Sequence, residues 1–140
     1  MTQVNFTVPG QPRGKGRPRF ARRGNFVTTY TDAATTTYED QIRFYALRAM
    51  GGYKPLTTAL EAFIHVRLLV PQSYSKKRTE ACLSGLEWPS KKPDWDNVAK
   101  SICDGMESII FVCDSQIVEC HVRKVYAETA GVDVLIKEKK

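Results

Sequence analysis

The sequence predicts an α+β fold, a small mixed β-sheet packed with helices in a single domain. The chain has 140 residues, which is the usual size of one domain. Stretches of alternating apolar and polar residues, typical of strands, are interspersed with stretches of helical periodicity. No internal repeat and no linker divides residues 1–140, so we expect one domain built from one sheet and its helices.

Hydrophobic periodicity gives the order of the elements. Apolar residues at every second position predict strands, and apolar residues three or four positions apart predict helices. The predicted strands are Gln3 to Val8, Asn25 to Tyr30, Leu60 to Val70, about Ser115 to Tyr126, and Val132 to Lys137. The predicted helices run from a cap at Thr31-Asp32 to about Met50, from Ser73 to Leu83, and from Asp96 to Ile109. In the last helix, Val98, Ile102, Met106 and Ile109 are expected to face the core.

The basic side chains are concentrated near the N-terminus. Residues 1–31 contain six basic side chains and no acidic one, and the other 15 basic residues are matched by 15 acidic ones. Residues 11–24 are rich in Gly, Pro and Arg, which predicts a basic loop rather than a helix or a central strand. A run of charged residues is more often a solvent-exposed face. The Gly and Pro residues of this segment, however, give its backbone the reach of a phosphate-binding arm. The predicted DNA-binding residues are Arg13, Lys15, Arg17, Arg19, Arg22, Arg23, Lys91 and Lys92.

Composition also argues against several classes of protein. No apolar run approaches the roughly 20 residues of a membrane helix, and no secretory leader is visible, so we expect a soluble, cytoplasmic protein without a membrane partner. The four cysteines form no C-x-x-C pair, so we expect reduced thiols and no zinc. A zinc site from Cys113, Cys120 and His121 stays conceivable, although adjacent residues of a strand point to opposite faces.

A group of carboxylates lies between residues 91 and 118. Asp94 and Asp96 are two positions apart at a predicted junction of loop and helix, and Asp114 could join them from the loop after that helix. Lys100 and Asp104 follow Asp96 at helical spacing, so one face carries acid, base and acid. Such oxygen-rich sites suit a hard cation, Mg²⁺ or also Mn²⁺.

Each of these acids also has an ordinary structural interpretation. Asp94 could cap the helix, Asp96 could form an ion pair with Lys100 one turn on, and Asp114 could be a turn residue. From the spacing of D-x-D-N alone, the structural interpretation is favoured.

The motifs resemble those of a known family. P-D-W-D-N-x-x-K, followed by F-V-C-D-S-Q-I-V-E, is similar to the signature of the RusA family of Holliday-junction resolvases. The segment V-P-G-x-P-x-G-K-G-R-P-R-F is similar to the opening of many members. The resemblance implies a small homodimeric endodeoxyribonuclease, often phage or prophage encoded, that uses Mg²⁺ to cleave four-way DNA junctions in recombination and repair. It implies metal ligation by Asp94, Asp96 and Asp114, an essential Lys100, and supporting roles for Asn97 and Asp104.

The chain departs from the family pattern at two positions, one directly before Asp114 and one between Asp94 and Asp96. Cys113 stands where many relatives have a second acid before S-Q, and Trp95, bulkier than the usual aliphatic residue, is expected to pack. Two alternatives therefore stay beside the resolvase. One is a catalytically weak or inactive module that binds branched DNA, and the other is a nuclease for flaps or other branched substrates.

Overall fold

The computed structural model describes residues 1–16, 19–30 and 33–140, and it describes only the backbone of residues 19–21, 23 and 30. The described part contains six strands, three α-helices and one 3-10 turn. In chain order these elements are β1 (Gln3–Pro9), β2 (Arg19–Arg23), β3 (Phe26–Tyr30), α1 (Ala33–Met50), β4 (Leu60–Leu69), α2 (Lys76–Leu83), α3 (Trp95–Met106), the 3-10 turn Asp114–Gln116, β5 (Ile117–Ala127) and β6 (Gly131–Glu138).

The main sheet has the strand order β1-β6-β4-β5. β6 pairs antiparallel with both β1 and β4, whereas β4 and β5 are parallel. The parallel pair is possible because α2 and α3 lie in the connection between its two strands. This mixed sheet with helices confirms the predicted α+β class.

Alternate residues of β4 are buried on one face of the sheet. Leu60, Ala62, Ile64, Val66 and Leu68 are buried, as the alternation predicted. The helices α1 and α3 cover this face with stripes of buried side chains. These stripes are Tyr38, Ile42, Ala46 and Met50 on α1, and Val98, Ile102 and Met106 on α3. No helix in the described part of the chain is long and apolar enough to cross a membrane.

The helix α3 ends three residues before the predicted end at Ile109. Glu107 leaves the helical conformation (φ −59°, ψ 137°), and Ser108 has a positive φ of 68°. Ile109 and Phe111 still enter the core after this reversal of the chain. The periodicity therefore predicted the buried face correctly but could not show that the last apolar residues are reached by a turn.

The prediction of a loop over residues 11–24 is wrong for its second half. β2 pairs with β3 as an antiparallel two-stranded sheet in which Arg23 lies opposite Phe26. Gly24, with a φ of 61°, and Asn25 form the connection, and Gly is favoured in such two-residue hairpin turns. The hairpin was missed because β2 consists mainly of arginines, which gives no apolar alternation. The predicted cap at Thr31-Asp32 lies outside the described residues.

Candidate functional site

The two acids of the D-x-D motif lie at the N-terminal end of α3, and both are exposed. Asp94 has the extended backbone of an N-cap (φ −67°, ψ 142°), yet its side chain makes no capping hydrogen bond. Neither Asp94 nor Asp96 forms an ion pair with any side chain that the structure describes. The ordinary interpretations of both residues, a cap and an ion pair with Lys100, therefore do not hold here.

Lys100 instead connects α3 to the 3-10 turn Asp114–Gln116, which we call the acidic turn. Its Nζ lies 3.1 Å from Asp104 Oδ1 and 3.2 Å from Asp114 Oδ2. Hydrogen bonds to Asp104 and then Asp114 raise the pKa of Lys100 above its ordinary value, so it is a cation at neutral pH. The structure thus brings three of the predicted site residues into direct contact.

The acidic turn is fixed in place by the side chain of Gln116. Its Oε1 accepts hydrogen bonds from the backbone N–H groups of Val112 and Cys113, both at 2.9 Å. Its Nε2 donates to the carbonyl oxygens of Leu56, at 2.9 Å, and Thr58, at 3.0 Å. All four bonds are between the side chain and backbone, so Gln116 ties the turn to the segment before β4. The sequence analysis assigned no role to this residue.

The loop before α3 is held by a lysine of β5. Lys124 Nζ donates to the carbonyl oxygens of Lys91, at 2.7 Å, and Pro93, at 2.9 Å. Lys124 lies opposite Val66 in the parallel pairing, on the side of the sheet that the helices cover. The sequence analysis missed this residue because a lysine within a strand normally indicates a solvent-facing position.

Groups of possible metal ligands occur at two places in the described part of the chain, where three ligand atoms lie within 4.8 Å of one another. The two groups are Glu107 with Cys113 and Asp114, and Glu61 with Glu119 and His121. Asp94 and Asp96 belong to neither group, so the structure does not gather the three predicted metal ligands within that distance. Cys113 and His121, members of the conceivable zinc site, fall in different groups.

Glu107 is a further acid near Asp114 that the sequence analysis did not single out. It follows the last residue of α3 and lies beside Cys113 and Asp114. A glutamate at the end of a helix carries no sequence signal, and only the fold shows that the chain returns past it. A second carboxylate therefore lies near Asp114 although Cys113 replaces the usual neighbouring acid.

Among the predicted DNA-binding residues whose side chains the structure describes, Lys15 is the one that contacts carboxylates of the same chain. Its Nζ lies 2.5 Å from Glu39 Oε1 and 3.0 Å from Asp104 Oδ2. Burial lowers its pKa, but hydrogen bonds to Glu39 and Asp104 raise it more, so the net shift is upward. The exposed residues of the predicted set are Arg13, Arg22, Lys91 and Lys92. Arg17 lies outside the described residues, as do the side chains of Arg19 and Arg23.

Trp95 and Asn97 occupy the first turn of α3 beside the two acids. Trp95 was expected to pack, but 61% of it is exposed. The carbonyl oxygen of Asn97 accepts a hydrogen bond of 2.9 Å from the backbone N–H of Lys15. A Cβ at Gly14 would lie 3.0 Å from Asn97 Cβ, so the glycine allows this close approach. The basic segment is thereby attached to the helix that carries the acids.

Two comparisons with known proteins agree with the motifs. The family model described as Endodeoxyribonuclease RusA matches residues 9–137. The chain is also 34% identical, over 143 residues, to the uncharacterized protein YqaN of Bacillus subtilis strain 168, and the match covers 99% of this chain and 98% of YqaN. The first match includes the basic segment, the D-x-D motif and the acidic turn.

Proposed function

We propose, since this chain belongs to the RusA family of endodeoxyribonucleases, that it is a Mg²⁺-dependent nuclease that resolves four-way DNA junctions. The observation that carries the proposal is the exposure of Asp94 and Asp96 without a described partner for either carboxylate. Two exposed carboxylates two positions apart neither cap the helix nor pair with a described cation. Their oxygen atoms are therefore available to bind a cation from solution.

Three carboxylates fit the chemistry of the proposed metal. Asp94, Asp96 and Asp114 offer only oxygen atoms, which Mg²⁺ and Mn²⁺ prefer. A bound divalent cation would activate a water molecule and offset the charge that develops on the phosphate. Asp94 and Asp96 project from the N-terminal end of α3, where the helix dipole also favours the negative phosphate.

Lys100 has two functions in this proposal. In the described structure its ammonium group neutralises Asp114, which lowers the repulsion between that acid and an approaching phosphate. If Asp114 held a metal ion, Lys100 would be available to donate a hydrogen bond to an oxygen of the scissile phosphate. Asp104 keeps the ammonium group at this place through its contact of 3.1 Å.

The exposed cations define the path proposed for DNA. Arg13, Arg22, Lys91 and Lys92 would contact phosphates on either side of the acidic site, which positions DNA without reading its sequence. Trp95, which separates the two acids in the sequence and is mostly exposed, is suited to stack on a base at a branch point, where bases are unstacked. A homodimer acting in the cytoplasm would present two such sites to the two-fold symmetric junction.

Cleavage of an immobile synthetic four-way junction tests the proposal. We expect paired nicks in opposed strands with Mg²⁺, none with EDTA, and no cutting of a linear duplex of the same sequence. If the protein cuts a flap or a fork in preference to the junction, the nuclease acts on another branched DNA and the proposed substrate is wrong. Binding of the junction without cutting would favour a binding module, an outcome that the replacement of an acid by Cys113 makes a specific alternative.

Lys124→Met is expected to lower the single-turnover rate of junction cleavage about tenfold, because supporting contacts to metal ligands typically have effects of this size. The substitution removes the two hydrogen bonds that hold the loop before Asp94. Lys137→Met removes an exposed strand lysine as a matched control. Equal rates for the two variants would show that the loop keeps its position without Lys124.

A further inference from the structure

We infer that Lys15 is a positioning residue of the proposed nuclease site and not a contact to DNA, an inference that rests on the proposed function. The ammonium group of Lys15 is shared between Glu39 of α1 and Asp104 of α3. Only 25% of the Lys15 side chain is exposed. A cation with two carboxylate partners in the same chain would have to give them up to reach a phosphate.

The backbone around Lys15 is fixed as well. The N–H of Lys15 donates to the carbonyl oxygen of Asn97, and the N–H of Gly16 donates to Thr35 Oγ1 at 3.0 Å. The segment is therefore attached to α3 by one residue and to α1 by the next. Lys15 cannot move toward DNA as a mobile arm residue would without breaking these bonds.

The two oxygens of Asp104 each contact a different lysine. Oδ2 lies 3.0 Å from Lys15 Nζ, and Oδ1 lies 3.1 Å from Lys100 Nζ. Lys15 therefore fixes the rotation of this carboxylate, so that one oxygen faces Lys100. With Asp104 in this orientation, the ammonium group of Lys100 also lies 3.2 Å from Asp114 Oδ2. A chain of contacts runs from the basic segment to the acidic turn.

The test compares Lys15→Met with Arg13→Met, a substitution of an exposed cation in the same segment. For Lys15→Met we expect a single-turnover cleavage rate about tenfold below wild type, because small displacements of a catalytic group have effects of this order or larger. Its Kd for the junction and the salt dependence of that Kd should match wild type. Arg13→Met should weaken binding and lower the slope of log K against log salt by about one.

A second measurement does not depend on cleavage. In a double-mutant cycle on thermal stability, Lys15→Met should lower Tm clearly in the wild-type background and by a smaller amount in an Asp104→Asn background, where only the ion pair of Lys15 with Glu39 is left to lose. Lys15→Arg should restore most of the cleavage rate, because it returns a cation to Asp104. If Lys15→Met does not fold, Lys15→Gln takes its place in every assay.

The outcomes separate this inference from the proposed function. A wild-type protein that never cuts a junction overturns the nuclease proposal, whereas the salt slope and the stability cycle still test Lys15. A slope lowered by about one in Lys15→Met, or equal Tm losses in the two backgrounds, overturns the role inferred for Lys15 even when the wild type is fully active.

Discussion

Asp94→Asn is expected to reduce Mg²⁺-dependent junction cleavage about a hundredfold to a thousandfold, the usual effect of removing a group that stabilises charge in the transition state. The change keeps the shape of the side chain but removes its charge. Because Asp94 makes no capping hydrogen bond, the helix loses only the attraction of one exposed charge to its dipole, so Tm should fall by no more than a few °C. Junction binding should be unchanged or slightly tighter, since one repulsive charge is lost. The measurements are single-turnover cleavage, junction binding in EDTA and thermal melting.

The matched control for this experiment is Asp40→Asn, an exposed acid of α1 that lies outside the site. It removes the same charge and should leave cleavage at the wild-type rate. Full activity of Asp94→Asn would mean that this residue does not bind the metal. The group formed by Glu107, Cys113 and Asp114, beyond the other end of α3, would then be the first place to look for the ligands.

Gly105→Ala is expected to lower the free energy of unfolding by about 1–3 kcal/mol, the typical cost of adding a methyl group to a filled core. A Cβ at this position would lie 2.6 Å from Ile42 Cγ2 and 2.7 Å from Ile42 Cβ, and Ile42 is completely buried. The oxygen of Glu39 lies 3.1 Å away, so the helices α1 and α3 would have to separate. Alanine forms helices better than glycine, but that gain is at most about 1 kcal/mol. Denaturant unfolding gives the difference.

Gly52→Ala provides the comparison for Gly105→Ala. A Cβ at Gly52 would have no atom within 4 Å, so its unfolding midpoint should equal that of wild type. Since Glu39 and Asp104 reach Lys15 from the two helices, a separation of α1 and α3 should also slow cleavage. Wild-type stability of Gly105→Ala would show that the two helices can move apart at little cost.

Periodicity predicted the main sheet well because burial on one side imposes a pattern on the sequence. In β4 every second residue from Leu60 to Leu68 is buried, and α3 shows the same regularity at Val98, Ile102 and Met106. Where burial does not repeat, the prediction failed. The strand β2, in which charged residues precede and follow the two apolar ones, was missed, whereas β3 was predicted from its β-forming residues although it is exposed from Phe26 to Thr29.

Sequence spacing predicted one contact of the candidate site but not the contacts that support it. Helical spacing placed Lys100 beside Asp104, and that contact is confirmed. The contacts of Gln116 and Lys124 join residues far apart in sequence and end on backbone carbonyl oxygens, which have no side-chain identity. No pattern of residue types can indicate such a partner. Lys15 does pair with side chains, Glu39 and Asp104, but both acids lie far along the chain, so the sequence does not distinguish Lys15 from the exposed Arg13.

The strand β5 constrains where the chain can change its length. It begins at Ile117, directly after the acidic turn, and further along it carries Lys124, which holds the loop before α3. An insertion or deletion of one residue between these positions would turn Lys124 to the opposite face of the sheet. Insertions or deletions at residues 128–130, between β5 and β6, would leave the D-x-D motif and the acidic turn in their present positions. Viable indels in related sequences should therefore concentrate in that turn.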